Sequence, residues 1–345
     1  MIDLRSDTVT LPSREMLQCI LDAPLGDSGR LDGDGRGGDP TVSALEDRAC
    51  ELTGMERSIL LPSGTMGNHV AVLTYCQPGD LVLMDANQHI YNVEKAVCDP
   101  RCGQMNPIFY HLTEDGYPDT KEIEDILENA KPKLLCIENT HNAAGGTYIP
   151  IHVLKELRRL ADRAGIPIHM DGARLFNAAV ASQNSAEEIC KYVDSVMFCI
   201  SKGLGAPVGS MLCGKKEFIL EAAKTRKFLG GAMRQAGVFA ACGLYALNHN
   251  ISNLAEDHRK AKMAWEALGN LKKIHTLKNI QSNILILDVT DTGLNADEVI
   301  VRAKEKGLWL SRSTDTRVRM VFYHGITEDQ TIQAINIVKE LDKSL

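Results

Sequence analysis

Lys202 stands in an unusual place for a lysine. The run SVMFCIS (195 to 201) is apolar and strand-like, and Lys202-Gly203 follows it directly. Lysines are rarely interior, and one held near another cation can lose its proton and act as a nucleophile. Asp171 ends a second such run, IPIHMD (166 to 171), with Arg174 close behind. A carboxylate there can hold a protonated ring nitrogen, or merely cap a helix and pair with the arginine. Ser63-Gly64-Thr65 lies between a short apolar run and a helical one. Free backbone N–H groups at a helix start, with two hydroxyls, suit a phosphate, although the same residues also serve as a plain cap. His89 follows the apolar run at 81 to 85.

Each residue alone has an ordinary structural reading. Together they are specific: a lysine for an imine, an aspartate for a ring nitrogen and a Gly/Ser/Thr turn for a phosphate are what pyridoxal 5'-phosphate requires. Lys202 follows Asp171 by 31 positions, enough for one helix and one strand between two neighbouring strand ends. In open α/β sheets, ligands bind outside the carboxyl ends of the strands.

The pattern predicts the elements that would position these groups. Helices are expected at 41–52, 67–76, 120–130 and 151–164, the last closed by Gly165. Strands are expected at 58–61, 81–85, 133–138, 167–171, 195–200 and 210–213. Apolar runs alternating with helices imply a mostly parallel sheet covered on both faces. From about Ala246 the texture changes: a long helix through Leu268, a strand at 283–289, a helix from Asn295, strands at 308–312 and 317–323, and a final helix from Thr327. The expected division is a large cofactor-binding domain with an N-terminal arm over 1–245 and a smaller α+β domain over 246–345.

Composition narrows the classes. The chain has 345 residues, a net charge of -7 and 44% hydrophobic residues, so it can bury substantial cores. A pI near 5.8 argues against nucleic acid or an anionic membrane as partner. The apolar stretches are about half the length of a membrane span, and MIDLRSDTVT places charges where a signal peptide needs an apolar run. The ten cysteines are scattered, with no CxxC pair, which suggests reduced, mostly core thiols, a cytoplasmic setting and no metal site. Gly26 to Gly38 carries six glycines among aspartates and arginines; it cannot pack a core and reads as a surface loop, either plain or over an active site.

Seven ordered stretches carry a family resemblance: MIDLRSDTVT (1 to 10), GDPTVSALE (38 to 46), LPSGTMGN (61 to 68), IENTHN (137 to 142), HMDGARLFNA (169 to 178), SVMFCISKGLGAPVGS (195 to 210) and LGGAMRQAG (229 to 237). Along nearly its whole length the chain resembles the low-specificity L-threonine aldolases, fold type I (aminotransferase-like) pyridoxal-phosphate enzymes. The resemblance implies that Lys202 carries the cofactor, Asp171 partners its ring nitrogen and His89 stacks on its ring. It implies a phosphate turn at Ser63, Gly64 and Thr65, and basic residues Lys227 and Arg234 that approach the neighbouring subunit's cofactor in a homotetramer, a dimer of dimers. Ser6, Arg174 and Arg319 match the groups that hold the substrate carboxylate.

The implied reaction is cleavage of a β-hydroxy-α-amino acid to glycine and an aldehyde, with His89, or a water it orients, as base. Racemisation or β-elimination on the same scaffold is the alternative, and a cofactor-binding regulator without turnover is a third. Two departures stand out. The 26–38 loop is longer than the family's, with Arg36 where the family has a tyrosine, and the approach LENAKPKLLC (127 to 136) lacks a histidine that many members carry. Both features lie near the substrate side chain in the family. A polar or bulky substrate, met by Arg36, Asp32 and Asp34, is therefore expected to be preferred over threonine.

Overall fold

The computed structural model describes residues 1–277 and 279–345. In chain order the strands are β1 (Ile2–Asp3), β2 (Arg57–Leu61), β3 (Leu81–Asp85), β4 (Asn106–Tyr110), β5 (Leu134–Glu138), β6 (Ile168–Asp171), β7 (Ser195–Cys199), β8 (Ser210–Gly214), β9 (His275–Thr276), β10 (Ile284–Asp288), β11 (Leu308–Trp309), β12 (Ser311–Thr314) and β13 (Arg317–Val321). A seven-stranded sheet has the order β2-β8-β7-β6-β5-β3-β4. Its strands pair in parallel except β8, which runs antiparallel to both β2 and β7. Every residue of β5, β6, β7 and β8 is buried. Helices on both faces explain why these strands read as unbroken apolar runs rather than alternating ones.

The helices start and stop where local chemistry dictates. The carboxylate of Asp39 accepts from the N–H groups of Thr41 and Val42 and opens the helix Pro40–Thr53, which ends at left-handed Gly54. Ser63 opens Gly64–Tyr75 by accepting from Met66 N–H. Ile151–Ala164 is closed by Gly165 at φ 68°, a conformation that glycine adopts without a Cβ clash.

A second, antiparallel sheet has the order β12-β13-β10-β9 and its own apolar core, with Leu285, Leu287, Val318, Met320 and Ala334 among its members. The chain's first residues join it. Ile2 and Leu4 are buried in that core, and β1 pairs with β11. The N-terminal arm therefore crosses from one core to the other, which suspends Ser6, Asp7 and Thr8 between them.

Some expectations are corrected. The long helix through Leu268 is broken: Gly237–His249 and Leu254–Leu268 are separate helices. Between them, Asn250 donates its side-chain amide to the carbonyl of Leu204 at 2.8 Å, which ties the junction to the segment just after Lys202. The single strand expected at 308–312 is two short ones, β11 and β12. The ten cysteines are all free and six are buried. Among the described residues, no helix is long and apolar enough to cross a membrane.

Candidate active site

The carboxyl ends of β6 and β7 open on a cleft of two adjoining chambers, about 290 and 300 Å³. Thr8, His89, Asp171, Ala173 and Lys202 line both. Ser63, Gly64 and Thr65 line one chamber; Ser6, Arg174 and Arg319 line the other. The cleft thus gathers Lys202, the strand-end aspartate, the helix-start turn and the arginines expected from sequence.

The helix-start end can take an anion. Among the described residues, the N–H groups of Gly64 and Thr65 have no acceptor, as the first turn of a helix leaves them. A Cβ at Gly64 would stand 2.8 Å from the sulfur of Cys199, so a larger residue there would push the backbone out of place.

The floor is acidic, and Asp171 is bonded at both oxygens. Asp171 is 1% exposed; one carboxylate oxygen accepts from the Asn68 amide at 2.9 Å and the other from Ala173 N–H at 3.0 Å. His89 Nδ1 bonds Glu94 at 2.9 Å, and its backbone N–H donates to Glu138 at 2.8 Å. Burial alone would lower the His89 pKa, but the Glu94 hydrogen bond and the nearby Asp171 and Glu94 charges outweigh it and raise it. Its Nε2 makes no hydrogen bond among the described residues, which leaves that nitrogen able to exchange a proton at the cavity wall.

The opposite end is cationic. Asp7, fully buried, takes Arg174 Nε at 2.7 Å and Nη2 at 2.8 Å. Burial would raise the Asp7 pKa, but the charges of Arg174 and Lys202 and its hydrogen bonds hold it low, so the carboxylate stays ionised. Arg174 therefore reaches the chamber mainly through Nη1, which donates to Asn142 Oδ1 at 3.3 Å. Arg319 differs. Its nitrogens bond Asn142 Oδ1 at 2.7 Å, Ser311 Oγ at 3.2 Å and the Arg5 carbonyl at 3.4 Å. Among the described residues no carboxylate pairs with it. Burial and the Arg174 charge push its pKa down to about 10, still charged at neutral pH and short of an anion. Ser6 lines the same chamber while accepting from Thr8 N–H at 3.2 Å, so a cap and a site residue coincide.

Five expected residues lie elsewhere. Lys227 and Arg234 are exposed and line neither chamber; Arg234 is 3.3 Å from Asp27. Within this chain the 26–38 loop, with Arg36, Asp32 and Asp34, lines neither chamber. Arg36 pairs with Asp47, and Asp34 pairs with Lys216 at 3.0 Å. Asp32 caps the loop's own turn by accepting from Asp34 and Arg36 N–H. Their charges are engaged with neighbouring helices, so nothing in the chain directs them at a substrate. Arg36→Ala is expected to leave kcat/KM for any β-hydroxy amino acid within about twofold and to lower stability by no more than about 1 kcal/mol, the worth of an exposed pair; steady-state kinetics and thermal melting check both.

The family model for beta-eliminating lyases matches residues 3–291. The chain belongs to the beta-eliminating lyase family. This lyase is 37% identical over 336 residues to low-specificity L-threonine aldolase 1 of Arabidopsis thaliana, covering 94% of this chain and 92% of the relative. It is 43% identical over 272 residues to the low specificity L-threonine aldolase of Escherichia coli K12, covering 77% and 78%. The solved threonine aldolase of Leishmania major shares its fold at a TM-score of 0.82 and 18% identity, over 99% of this chain and 100% of that one. The resemblance carried by the seven motifs holds, and with it the fold type I architecture.

Sequence reasoning passed over several residues of the lyase's cleft. Asn68, Glu138 and Asn142 lie inside motifs already singled out, LPSGTMGN and IENTHN, and could have been found as polar residues within apolar contexts. Asp7 sits in MIDLRSDTVT, but its pairing with Arg174 spans 167 positions, which no local pattern encodes. Glu94 lies in the irregular turn Ile90–Glu94, without periodicity to mark it.

Proposed function

We propose that this lyase binds pyridoxal 5'-phosphate and cleaves a β-hydroxy-α-amino acid, with threonine and allo-threonine the first candidates, to glycine and an aldehyde. The observation that carries the reading is one cleft in which Lys202 and Asp171 face an arginine, Arg319, that lacks a carboxylate. The residues fit the cofactor: Gly64 and Thr65 offer free N–H groups for a phosphate, and Asp171 is a buried acceptor for a ring nitrogen. Lys202 is the amine that would carry the cofactor, and His89 would lie along its ring.

Bound, the cofactor supplies a sink for the electron pair left at Cα. The chain's own residues do the rest. Arg319, Ser6 and Nη1 of Arg174 hold the substrate carboxylate, which fixes rotation about the N–Cα bond and so selects the bond that breaks, a positioning effect. His89 Nε2, or a water it orients, takes the β-hydroxyl proton. The C–O bond closes to a carbonyl as Cα–Cβ breaks, the aldehyde leaves, and Lys202 returns a proton to Cα to complete glycine. General-base help of this kind contributes roughly 10²–10⁴-fold. The test is glycine release across threonine, allo-threonine and phenylserine; no glycine from any of them would sink the reading.

The proposed assembly is a cytoplasmic homotetramer, a dimer of dimers. Phe228, beside Lys227, is 87% exposed, and Leu11 and Leu21 are 82% and 78% exposed, which supports a covering subunit. Lys227 and Arg234 would then meet the neighbour's cofactor phosphate through charge-assisted bonds. Arg234→Ala is expected to weaken cofactor retention several-fold in dialysis. An active, loaded monomer by light scattering would contradict the shared site.

A further inference from the structure

Beneath the acidic floor runs a chain of buried side chains that the reaction itself does not use. Asn68 is 0% exposed. Its two amide hydrogens go to two different carboxylates, Asp171 at 2.9 Å and Glu94 at 3.0 Å. Its Oδ1 lies 3.2 Å from His169 Nε2, and His169 Nδ1 lies 2.9 Å from Ser195 Oγ. Glu94, in turn, holds His89. One amide therefore joins the carboxylate beneath the cleft to the carboxylate that orients the histidine in its wall.

We infer that Asn68 is the positioning residue of this site: it fixes Asp171 and, through Glu94, His89 relative to one another, and His169 fixes the orientation of its amide. The inference rests on the cofactor reading above. Asn68 is suited to the task because it offers two donors and adds no charge. A hydroxyl has one donor and could serve only one carboxylate, and a water could serve both but is not held by the chain. Here a third partner, His169, removes the remaining freedom. With Nε2–H donating, a flipped amide would turn its oxygen toward two carboxylates and its N–H groups toward another N–H, losing every bond at once. His169 is buried and its pKa is pushed down to about 4 by that burial, so the ring is neutral and carries a single N–H. Ser195 can donate to Nδ1, which leaves the hydrogen on Nε2, the tautomer that Asn68 needs.

Asn68 sits one turn after Gly64 on the helix Gly64–Tyr75, so residues four apart on one helix face serve the phosphate turn and the floor. Small errors of placement in an active site cost up to about 10²-fold, and bonds to charged acceptors are among the stronger ones. The effect should therefore be read in cofactor affinity as well as in rate.

The test compares Asn68→Asp with Asn68→Ala. Asp has nearly the same size as Asn but replaces two donors with a third negative charge. Pyridoxal phosphate is titrated into each cofactor-free protein and followed by absorbance, with circular dichroism melting as the check on folding. The expected result is that Asn68→Asp binds at least about 10-fold more weakly than wild type and no better than Asn68→Ala, since a charged acceptor is repelled where a donor is required. If Asn68→Asp binds the cofactor as wild type does, the two donors are not needed and the inference is overturned. Nitrogen-15 spectra of histidine-labelled, cofactor-free wild type give a second answer that needs no variant. His169 is expected as the Nε2–H tautomer, and an Nδ1–H tautomer overturns the inference. Wild type that takes up no pyridoxal phosphate overturns the cofactor reading itself, whereas a loaded wild type with an equally loaded Asn68→Asp overturns this inference alone.

Discussion

Lys202→Ala is expected to lose both the visible absorbance of the loaded enzyme and nearly all glycine release. Lys202 lies just past β7 and lines both chambers of the cleft, which supports its proposed roles of carrying the cofactor and returning a proton to Cα. The second task alone is worth roughly 10²–10⁴-fold, and losing covalent attachment adds to it. Fold and apo stability should change little, because the side chain makes no hydrogen bond among the described residues. Borohydride reduction followed by peptide mapping checks the attachment: the label should fall on Lys202 in wild type and vanish in the variant. A variant that keeps its visible band and its turnover would remove Lys202 from the mechanism.

Arg319→Ala is the second large effect. The guanidinium is half-buried among three neutral acceptors and the cationic Arg174, and among the described residues it has no carboxylate of its own. A substrate carboxylate supplies the missing charge, and a charge-assisted bond is worth about 1.5–3 kcal/mol, or about 10- to 150-fold in kcat/KM. Arg319→Lys should recover only part, since an ammonium lacks the fork. The variant's melting temperature should hold or rise, because removing Arg319 relieves repulsion with Arg174 and leaves no carboxylate unpaired. Stability and function thus move in different directions, as they do at a site built for a ligand rather than for itself. Loss of melting temperature with unchanged kcat/KM would make Arg319 a structural residue.

The parallel sheet was legible because a strand buried on both faces must be apolar throughout, as in Leu134–Glu138 and Ser195–Cys199. The helix at 151–164 was legible because its cap, Gly165, follows local rules, and the helix at 41–52 from its apolar face, whereas its Asp39 cap emerged only in the structure. The strand Asn106–Tyr110 went unseen because a proline and a polar first residue hide an edge position. The helix Arg14–Leu21 went unseen too: only Met16 of it is buried, so its apolar residues mark no core face within this chain. Lys202 and Asp171 could be read from position alone. Arg319 could be named only by resemblance, because its meaning depends on a partner it lacks and on Arg174, far away in sequence. The 26–38 loop shows the opposite error. Its composition suggested reach toward a substrate, yet Arg36 and Asp34 found Asp47 and Lys216 on adjacent helices, and composition cannot tell which partner a flexible charge will meet.

The central claim is that this cleft breaks the Cα–Cβ bond. Wild-type enzyme loaded with pyridoxal phosphate is incubated with L-threonine and L-allo-threonine, and the products are followed by proton NMR. Glycine and acetaldehyde are expected in equal amounts, with neither the Cα epimer nor the deaminated keto acid accumulating at a comparable rate. Epimer or keto acid as the main product, with glycine absent, would contradict it.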